Sequence, residues 1–535
     1  MFYACTSLYC YALWQVELIG YTFGQRISFL TMNTSMDTLP SNVSSTAVSP
    51  KDTVAEPSNA SKQPKASCLF VTLGCAKNQV DTDRMRALLL KSGFEESRDA
   101  SSADVVIINT CSFLESATSE SIEVTLDLAQ KRTSGIKKLP IIMCGCVPSR
   151  YGAALDKELP EVSAFVKATD EDSIVGIVSD VLGIEHPTFS FSQELSARAL
   201  RTIEGTSAFV KISEGCDRYC AFCAIPFIRG HYASRCPEEI FSEITMLMEG
   251  GVKEIILIGQ DTGIWGEDFS SRGAASVLHK DSDLHDPSSA SSFDKNSTQH
   301  ESMNLAWLLR EVARIVRPYK AWIRVLYLQP EGMTEDLIAT IRDTPEVLPY
   351  IDIPIQHCNE RLLKKMGRSG SASQLHKLFA HLRHEIPQMV LRTTGMVGFP
   401  TETDEEAAEL VGFFKQEEFD YMSVFSYSQE LGTTAAKMRG QISAETKIER
   451  TQTLRDTAEE LGFAATAKHV GEVVDVIIDS VDMDSPDKER IGHAWFQAPD
   501  CDGCVHILDT DANPGDVVRV KLKEAYCYEL VGKLV

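Results

Sequence analysis

The sequence predicts an α/β protein in three folded parts. These are an amino-terminal parallel α/β unit, a central partial (β/α) barrel and a small carboxy-terminal antiparallel β-barrel. Three observations carry that expectation. Short apolar runs alternate with helical spacings from Cys68 to about residue 184, and again from Ala208 to about residue 437, as parallel sheets flanked by helices require. From Gly471 the helical spacings stop and short strand-like runs follow at even intervals, the pattern of a small barrel. The chain has 535 residues and 43% hydrophobic content, enough for about three domains with cores of their own.

Residues 1–66 read as a disordered or upstream extension. The stretch 1–31 is rich in aromatic and apolar residues, but its first basic residue is Arg26 and Glu17 interrupts it. A secretory signal wants a positive start and a clean apolar run, and a membrane span wants about 20 predominantly apolar residues. A Ser/Thr/Pro-rich stretch follows Met32 and Met36, and either methionine is the expected start of translation. The formal charge is −24. That argues against strong nucleic-acid binding, which needs clustered Lys and Arg, and suits a basic partner. The 15 cysteines fall in spaced groups, which reads as metal ligation in a reducing, cytoplasmic setting rather than as disulfides.

Within the first unit, taken as 67–184, Leu69–Leu73, Val105–Asn109 and Ile141–Met143 read as strands, and Asp81–Ser92 and Ser116–Gln130 as helices. Each strand runs into cysteine: Cys75, then Cys111, then Cys144 or Cys146. Open α/β sheets place ligands at the carboxyl ends of their strands, so thiols far apart in sequence are expected to meet there. Buried packing cysteines are the plainer alternative.

Residues 185–205 read as a linker, and 202–437 as the central barrel. Strands are expected at Ala208–Ile212, Glu254–Ile258, Ala321–Tyr327, Ile351–Ile355, Val390–Val397 and Tyr421–Tyr427. Helices are expected at Pro237–Glu249, Leu305–Val316, Glu335–Arg342, Ser373–Glu385 and Asp404–Gln416. Residues 267–303, polar and apolar-poor, read as a flexible insertion. Just after the first of these strands comes Cys216-Asp-Arg-Tyr-Cys220-Ala-Phe-Cys223. Most four-iron clusters take four cysteines; a compact set of three leaves one iron open. An open iron beside S-adenosylmethionine is what reductive cleavage of the sulfonium needs. A zinc site is the alternative, but it is usually built from two close ligand pairs, and the next cysteine is Cys236. Phe222 lies between two of the thiols, Gln260 and Asp261 follow a strand end, and Arg392 starts a later strand; these four are the candidate contacts to the sulfonium cofactor. Gln356 and His357 occupy another strand end.

Met438–Ala467 reads as a polar helix, with 438–467 as a connector. Over 468–535 strands are expected at Val473–Ile478, Glu489–Phe496, Val505–Leu508, Val517–Leu522 and Glu529–Leu534. This part has 14 Asp and Glu against 7 Lys and Arg, a balance of −7, so it suits a basic protein better than RNA. Cys501-x-x-Cys504 has no second pair and reads as structural, while Cys68, Cys236, Cys358 and Cys527 read as packing residues.

Four runs together resemble the methylthiotransferases. They are Thr72-Leu-Gly-Cys75-Ala-Lys-Asn78-Gln-Val-Asp81, Asn109-Thr-Cys111-Ser-Phe, Cys144-Gly-Cys146, and Lys211-Ile-Ser-Glu-Gly-Cys216 leading into Cys220 and Cys223. The resemblance covers roughly 68–535. It implies a radical-SAM barrel in the centre, a TRAM-like barrel at the carboxyl end, and two 4Fe–4S clusters. Cys216, Cys220 and Cys223 would hold the radical-generating cluster that takes S-adenosylmethionine. Cys75, Cys111 and Cys146 would hold the second, whose free iron carries the sulfur; the family motif places its cysteine after Gly145, which selects Cys146 over Cys144. Members acting on tRNA usually carry Gly-Cys-Gln-Met-Asn and Leu-Pro-Val-Gln-Ser. This chain has Gly74-Cys75-Ala76-Lys77-Asn78 and Asp352-Ile353-Pro354-Ile355-Gln356-His357, which look like the RimO type. That type methylthiolates the β-carbon of an aspartate in the basic small-subunit ribosomal protein twelve. The resemblance also implies a sulfur donor and a reductant such as flavodoxin or ferredoxin. Thr401 departs from the pattern, where the family usually has Gly. A tRNA adenosine 2-methylthiotransferase and a non-catalytic iron–sulfur scaffold remain the competing readings.

Overall fold

The computed structural model describes residues 65–131, 139–186, 200–272, 303–483, 485 and 489–535. The expected extension over 1–66, all but its last two residues, lies outside them. So do most of the expected linker and of the expected insertion.

The first sheet has five parallel strands rather than the three read from sequence. They are β1 (Ser67–Thr72), β2 (Glu95–Glu96), β3 (Val105–Thr110), β4 (Ile141–Gly145) and β5 (Ala164–Lys167), in the order β2-β1-β3-β4-β5. Every residue of β3 and β4 is buried, as expected for strands covered on both faces. β2 is two exposed glutamates and β5 is four residues long; neither gives an apolar run to read. The helix after β1 spans Ala76–Lys91 and starts five residues before the expected Asp81. Its first turn buries Lys77 and Asn78, so polarity hid a buried turn from a reading based on apolar spacing.

The central sheet begins with β6 (Ser207–Lys211). A short antiparallel pair, β7 (Ser213–Glu214) with β8 (Ala233–Ser234), brackets the cysteine loop. β9 (Glu254–Ile258), β10 (Trp322–Val325), β11 (Val347–Gln356), β12 (Val390–Val397) and β13 (Tyr421–Ser426) follow. The six long strands are parallel, in the order β13-β12-β11-β10-β9-β6. The sheet stays open among the described residues, so the barrel is partial. Helices Pro237–Glu249, Leu305–Val316, Ala372–Glu385 and Asp404–Glu417 cover its outer face through a shared core. Local capping fixes their starts: Asn304 accepts from the Trp307 amide at 2.9 Å, and Thr403 with Glu406 forms a capping box. Thr401 has φ +71°, a left-handed conformation costly for a β-branched residue. That conformation explains why glycine suits the position. Here Lys365 donates to the Thr401 hydroxyl at 2.6 Å, and the Thr401 amide donates to the Gly440 carbonyl at 2.7 Å.

The connecting helix spans Ala444–Ala467, not Met438–Ala467, because Ser443 caps it by accepting from the Thr446 amide. The terminal barrel closes as β14 (Val473–Val481), β15 (Arg490–Ala494), β16 (Val505–Leu508), β17 (Val517–Ala525) and β18 (Leu530–Leu534), in the order β14-β15-β16-β18-β17. Where sequence suggested antiparallel pairing throughout, β16 and β18 are parallel; β17 intervenes in the chain and pairs with β18 on its other edge. This barrel packs on the inner face of the central sheet. Val476, Phe496 and Leu530 share one core with Ile256, Leu326, Tyr350 and Tyr421, and with Val80 of the first unit. Charged groups stitch the same seam. His493 bridges Glu254 at 2.6 Å and Asp479 at 2.7 Å, and Arg324 holds the other Glu254 oxygen at 2.6 Å.

Candidate active site

Cys75 immediately precedes the helix that leaves β1, Cys111 follows β3, and Cys146 opens a short helix after β4. Parallel strands lay these three ends side by side. Two glycines let the backbone come close enough. Gly74 has φ +103°, and a Cβ there would stand 2.7 Å from the Cys111 Cβ. Gly145 has φ +91°, and a Cβ would meet the Asn109 side-chain oxygen at 2.2 Å. No side chain fits either place.

Asn78 ties the three ends together. Its amide nitrogen donates to the Thr110 carbonyl at 2.8 Å, while the Cys75 and Cys146 thiols donate to its side-chain oxygen at 3.6 and 3.9 Å. Burial pushes the Cys111 thiol up, and the nearby Cys146 and Cys75 sulfurs add to it. Burial also raises the Cys146 thiol, against the pull of Arg229. Three thiols side by side, with Cys111 and Cys146 held neutral by burial, are a donor set that a cation stabilises by displacing their protons. Cys144, by contrast, is fully buried in the apolar core with Cys68 and Val166. The structure therefore brings Cys146, not Cys144, to the other two.

The second triad sits in the loop between β7 and β8. The Cys216 amide donates to the Gly230 carbonyl at 3.2 Å and the Cys223 amide to the Cys220 carbonyl at 3.0 Å, so the loop is folded on itself. Burial raises the Cys223 thiol to about 12, with Cys220 and Cys216 adding to the effect. Burial likewise raises the Cys216 thiol. Phe222 packs against a small apolar group that includes Ala221, Met366 and Phe399.

Gln260 and Asp261 stand at the end of β9. Gln260 donates to Glu214 at 3.0 Å, and Asp261 accepts from Arg218. The remaining buried oxygens of Gln260, Asp261 and Gln356 have no partner among the described residues. Buried acceptors without donors mark room for a polar ligand. One expectation changes. Arg392, expected to meet a cofactor carboxylate, instead donates to Asp352 at 3.0 Å, Asp502 at 3.1 Å and Ser423 at 3.0 Å; its strand position faces the terminal barrel. His357 is fully buried and accepts from the amides of Cys358 and Asn359 at 3.0 and 2.9 Å, a structural role. Cys68 and Cys358 are buried packing residues.

The two triads adjoin. Cys146 packs against Ala224 and Ile228 of the segment that follows Cys223. Arg229, six residues after Cys223, reaches Cys146 at 3.6 Å, Asn78 at 3.1 Å and Asp81 at 2.7 Å. Lys211 and Glu214 extend this buried network: Lys211 pairs with Asp81 and, at 2.9 Å, with Glu214. Burial would lower the basicity of Arg229, but Asp81 and Glu214 more than offset it. Burial pushes the Glu214 carboxyl up, yet Lys211 and Arg229 bring it down to about 2. Both groups are therefore charged at neutral pH. Lys77 lies 3.7 Å over the ring of Tyr327, a cation–π contact on the same wall. Sequence reading assigned no role to Asn78, Asp81 or Arg229. Asn78 and Asp81 both belong to the run around Cys75 that resembles the family, whereas nothing local marks Arg229.

Three family models match the chain. Uncharacterized protein family UPF0004 matches residues 67–167, the Radical SAM superfamily 210–414, and the TRAM domain 470–535. The chain is 37% identical over 480 residues to the ribosomal protein uS12 methylthiotransferase RimO of Geobacter sulfurreducens, covering 88% of this chain and 99% of that one. It is 36% identical over 487 residues to the protein of that name from Trichlorobacter lovleyi, covering 89% and 99%. It is 35% identical over 470 residues to that from Natranaerobius thermophilus, covering 87% and 98%.

Proposed function

The chain belongs to the RimO family of methylthiotransferases, and on that premise we propose that it adds a methylthio group to the β-carbon of an aspartate in ribosomal protein uS12. One observation carries this reading: the adjoining of the two cysteine triads through Arg229, Ala224 and Ile228. A single substrate carbon can be presented to both, which is what positioning contributes to such a reaction.

Cys216, Cys220 and Cys223 hold one 4Fe–4S cluster, and Cys75, Cys111 and Cys146 the other. When bound, the clusters and S-adenosylmethionine supply a radical strong enough for an unactivated C–H bond, and the sulfur that replaces the hydrogen. The protein's own groups set the stage. Gln260 and Asp261 offer acceptor oxygens beside the second triad, suited to the sulfonium cofactor's amino group. Arg229 supplies positive charge beside Cys146 and steadies its thiolate. Lys77 and Tyr327 line the wall between Cys75 and the central sheet. Lys77 is buried and loses basicity through that burial, and a substrate carboxylate placed beside it would favour its charged form. The terminal barrel, with its balance of −7, suits a basic protein partner.

The test uses anaerobically reconstituted full-length protein with dithionite, S-adenosylmethionine and purified uS12, read by peptide mass spectrometry. A methylthio increment on one aspartate is expected, with 5′-deoxyadenosine released. Cys216→Ala should abolish both. Cys75→Ala should spare the nucleoside and stop sulfur insertion. A methylthio group on tRNA adenosine with uS12 unchanged would overturn the substrate, and no 5′-deoxyadenosine from iron-replete protein would favour a scaffold.

A further inference from the structure

We propose a zinc site on the outer wall of the terminal barrel, formed by Cys504, His506 and Glu529. Val505, Ile507 and Leu530 point into the barrel core and are fully buried. Strand side chains alternate, so Cys504 and His506 share the outer face. The parallel register pairs Val505 with Leu530, and the Leu530 amide donates to the Cys504 carbonyl at 3.0 Å. Glu529 is thereby held opposite Cys504.

The donor atoms of the three residues all lie within 4.8 Å of one another. His506 Nε2 stands 3.4 Å from Cys504 Sγ and 3.8 Å from a Glu529 carboxylate oxygen. Zinc bonds of about 2.3 Å to sulfur and about 2.0–2.2 Å to nitrogen or oxygen, at tetrahedral angles, put ligand atoms about 3.4–3.6 Å apart. The carboxylate lies beyond the 2.7–3.2 Å range of an N–H···O bond, and a shift of a few tenths of an ångström makes it a ligand edge. The other ring nitrogen, Nδ1, faces a Glu489 oxygen at 3.5 Å, the position of the carboxylate that orients a metal-binding imidazole. Two carboxylates and a thiol crowd one imidazole in a part of the chain that is already acidic; a bound cation relieves that crowding. Thiolate with imidazole selects zinc over calcium or magnesium. Cys501 packs against the core facing the central sheet, so among the described residues the site offers three protein ligands and the fourth position would fall to water. The site staples β16 to β18, the parallel seam of the barrel.

The experiment is elemental analysis and zinc X-ray absorption on the full-length, iron-reconstituted protein after one equivalent of zinc and dialysis. About one zinc per chain is expected beyond the iron, with one sulfur and three nitrogen or oxygen neighbours. Cys504→Ser and His506→Ala should each lower retained zinc by about tenfold or more, with iron content unchanged. Wild-type protein that keeps no zinc, or variants that keep it in full, would overturn the site. So would a shell of three sulfurs, which places the metal at the cluster cysteines. A ninth iron in place of zinc would overturn the choice of metal. The absorption spectrum of wild-type protein decides the matter even if a variant fails to fold.

Discussion

His493→Gln tests the seam between the terminal barrel and the central sheet. The imidazole is fully enclosed and bridges Glu254 and Asp479. Burial alone would lower its pKa, but Asp479 and Glu254 raise it from 6.5 to about 9. A folded-state value above the unfolded one means that the contribution is complete below about pH 6.5 and disappears as pH rises through about 9. The shift corresponds to about 3 kcal/mol. Removing the imidazole at neutral pH leaves Glu254 with Arg324 alone, at a cost of about 3 kcal/mol, as for other broken buried pairs. Denaturant unfolding at several pH values measures both effects. The Trp322 ring lies edge-on, 6.0 Å from the imidazole, and reports locally by fluorescence. The wild-type midpoint should fall between about pH 6.5 and pH 9, and the variant should start lower and stay flat. Parallel profiles for the two proteins would refute the assignment of charge to His493.

Three further outcomes follow from packing and charge. Gly74→Ala forces a Cβ to within 2.7 Å of Cys111; iron per chain should fall from about eight to about four, with 5′-deoxyadenosine formation retained. Asp81→Asn removes the carboxylate shared by Arg229 and Lys211; it should destabilise the protein by about 3 kcal/mol, read as a lower unfolding midpoint, and slow sulfur insertion more than nucleoside release. Gly462→Ala drives a methyl to within 2.3 Å of the Tyr528 ring; it should cost about 1–3 kcal/mol and leave the iron count unchanged.

Much of the scaffold was legible because its strands are apolar runs bounded by turns: Glu254–Ile258 and Val505–Leu508 appear where expected. Elements that lack such contrast were not. The first turn at Lys77 and Asn78 is polar yet buried, and its burial follows from groups that arrive from distant strands. The six cysteines stood out by their spacing, but their shared neighbours did not. Arg229 meets Asp81 across 148 residues, and no local pattern encodes such a meeting. Arg392 shows the same limit: its strand is visible in the sequence, while Asp502, the barrel residue it donates to, lies 110 residues away.

The core that joins Val80, Tyr350 and Phe496 bears on how far these parts can be recombined. In sequence they look like interchangeable modules. Physically, a terminal barrel transplanted from another protein would need counterparts for Tyr350, Tyr421 and Glu254, and an excised barrel would carry an open apolar wound. Swapping specificity between relatives therefore calls for moving the inner-face residues together with the barrel that covers them.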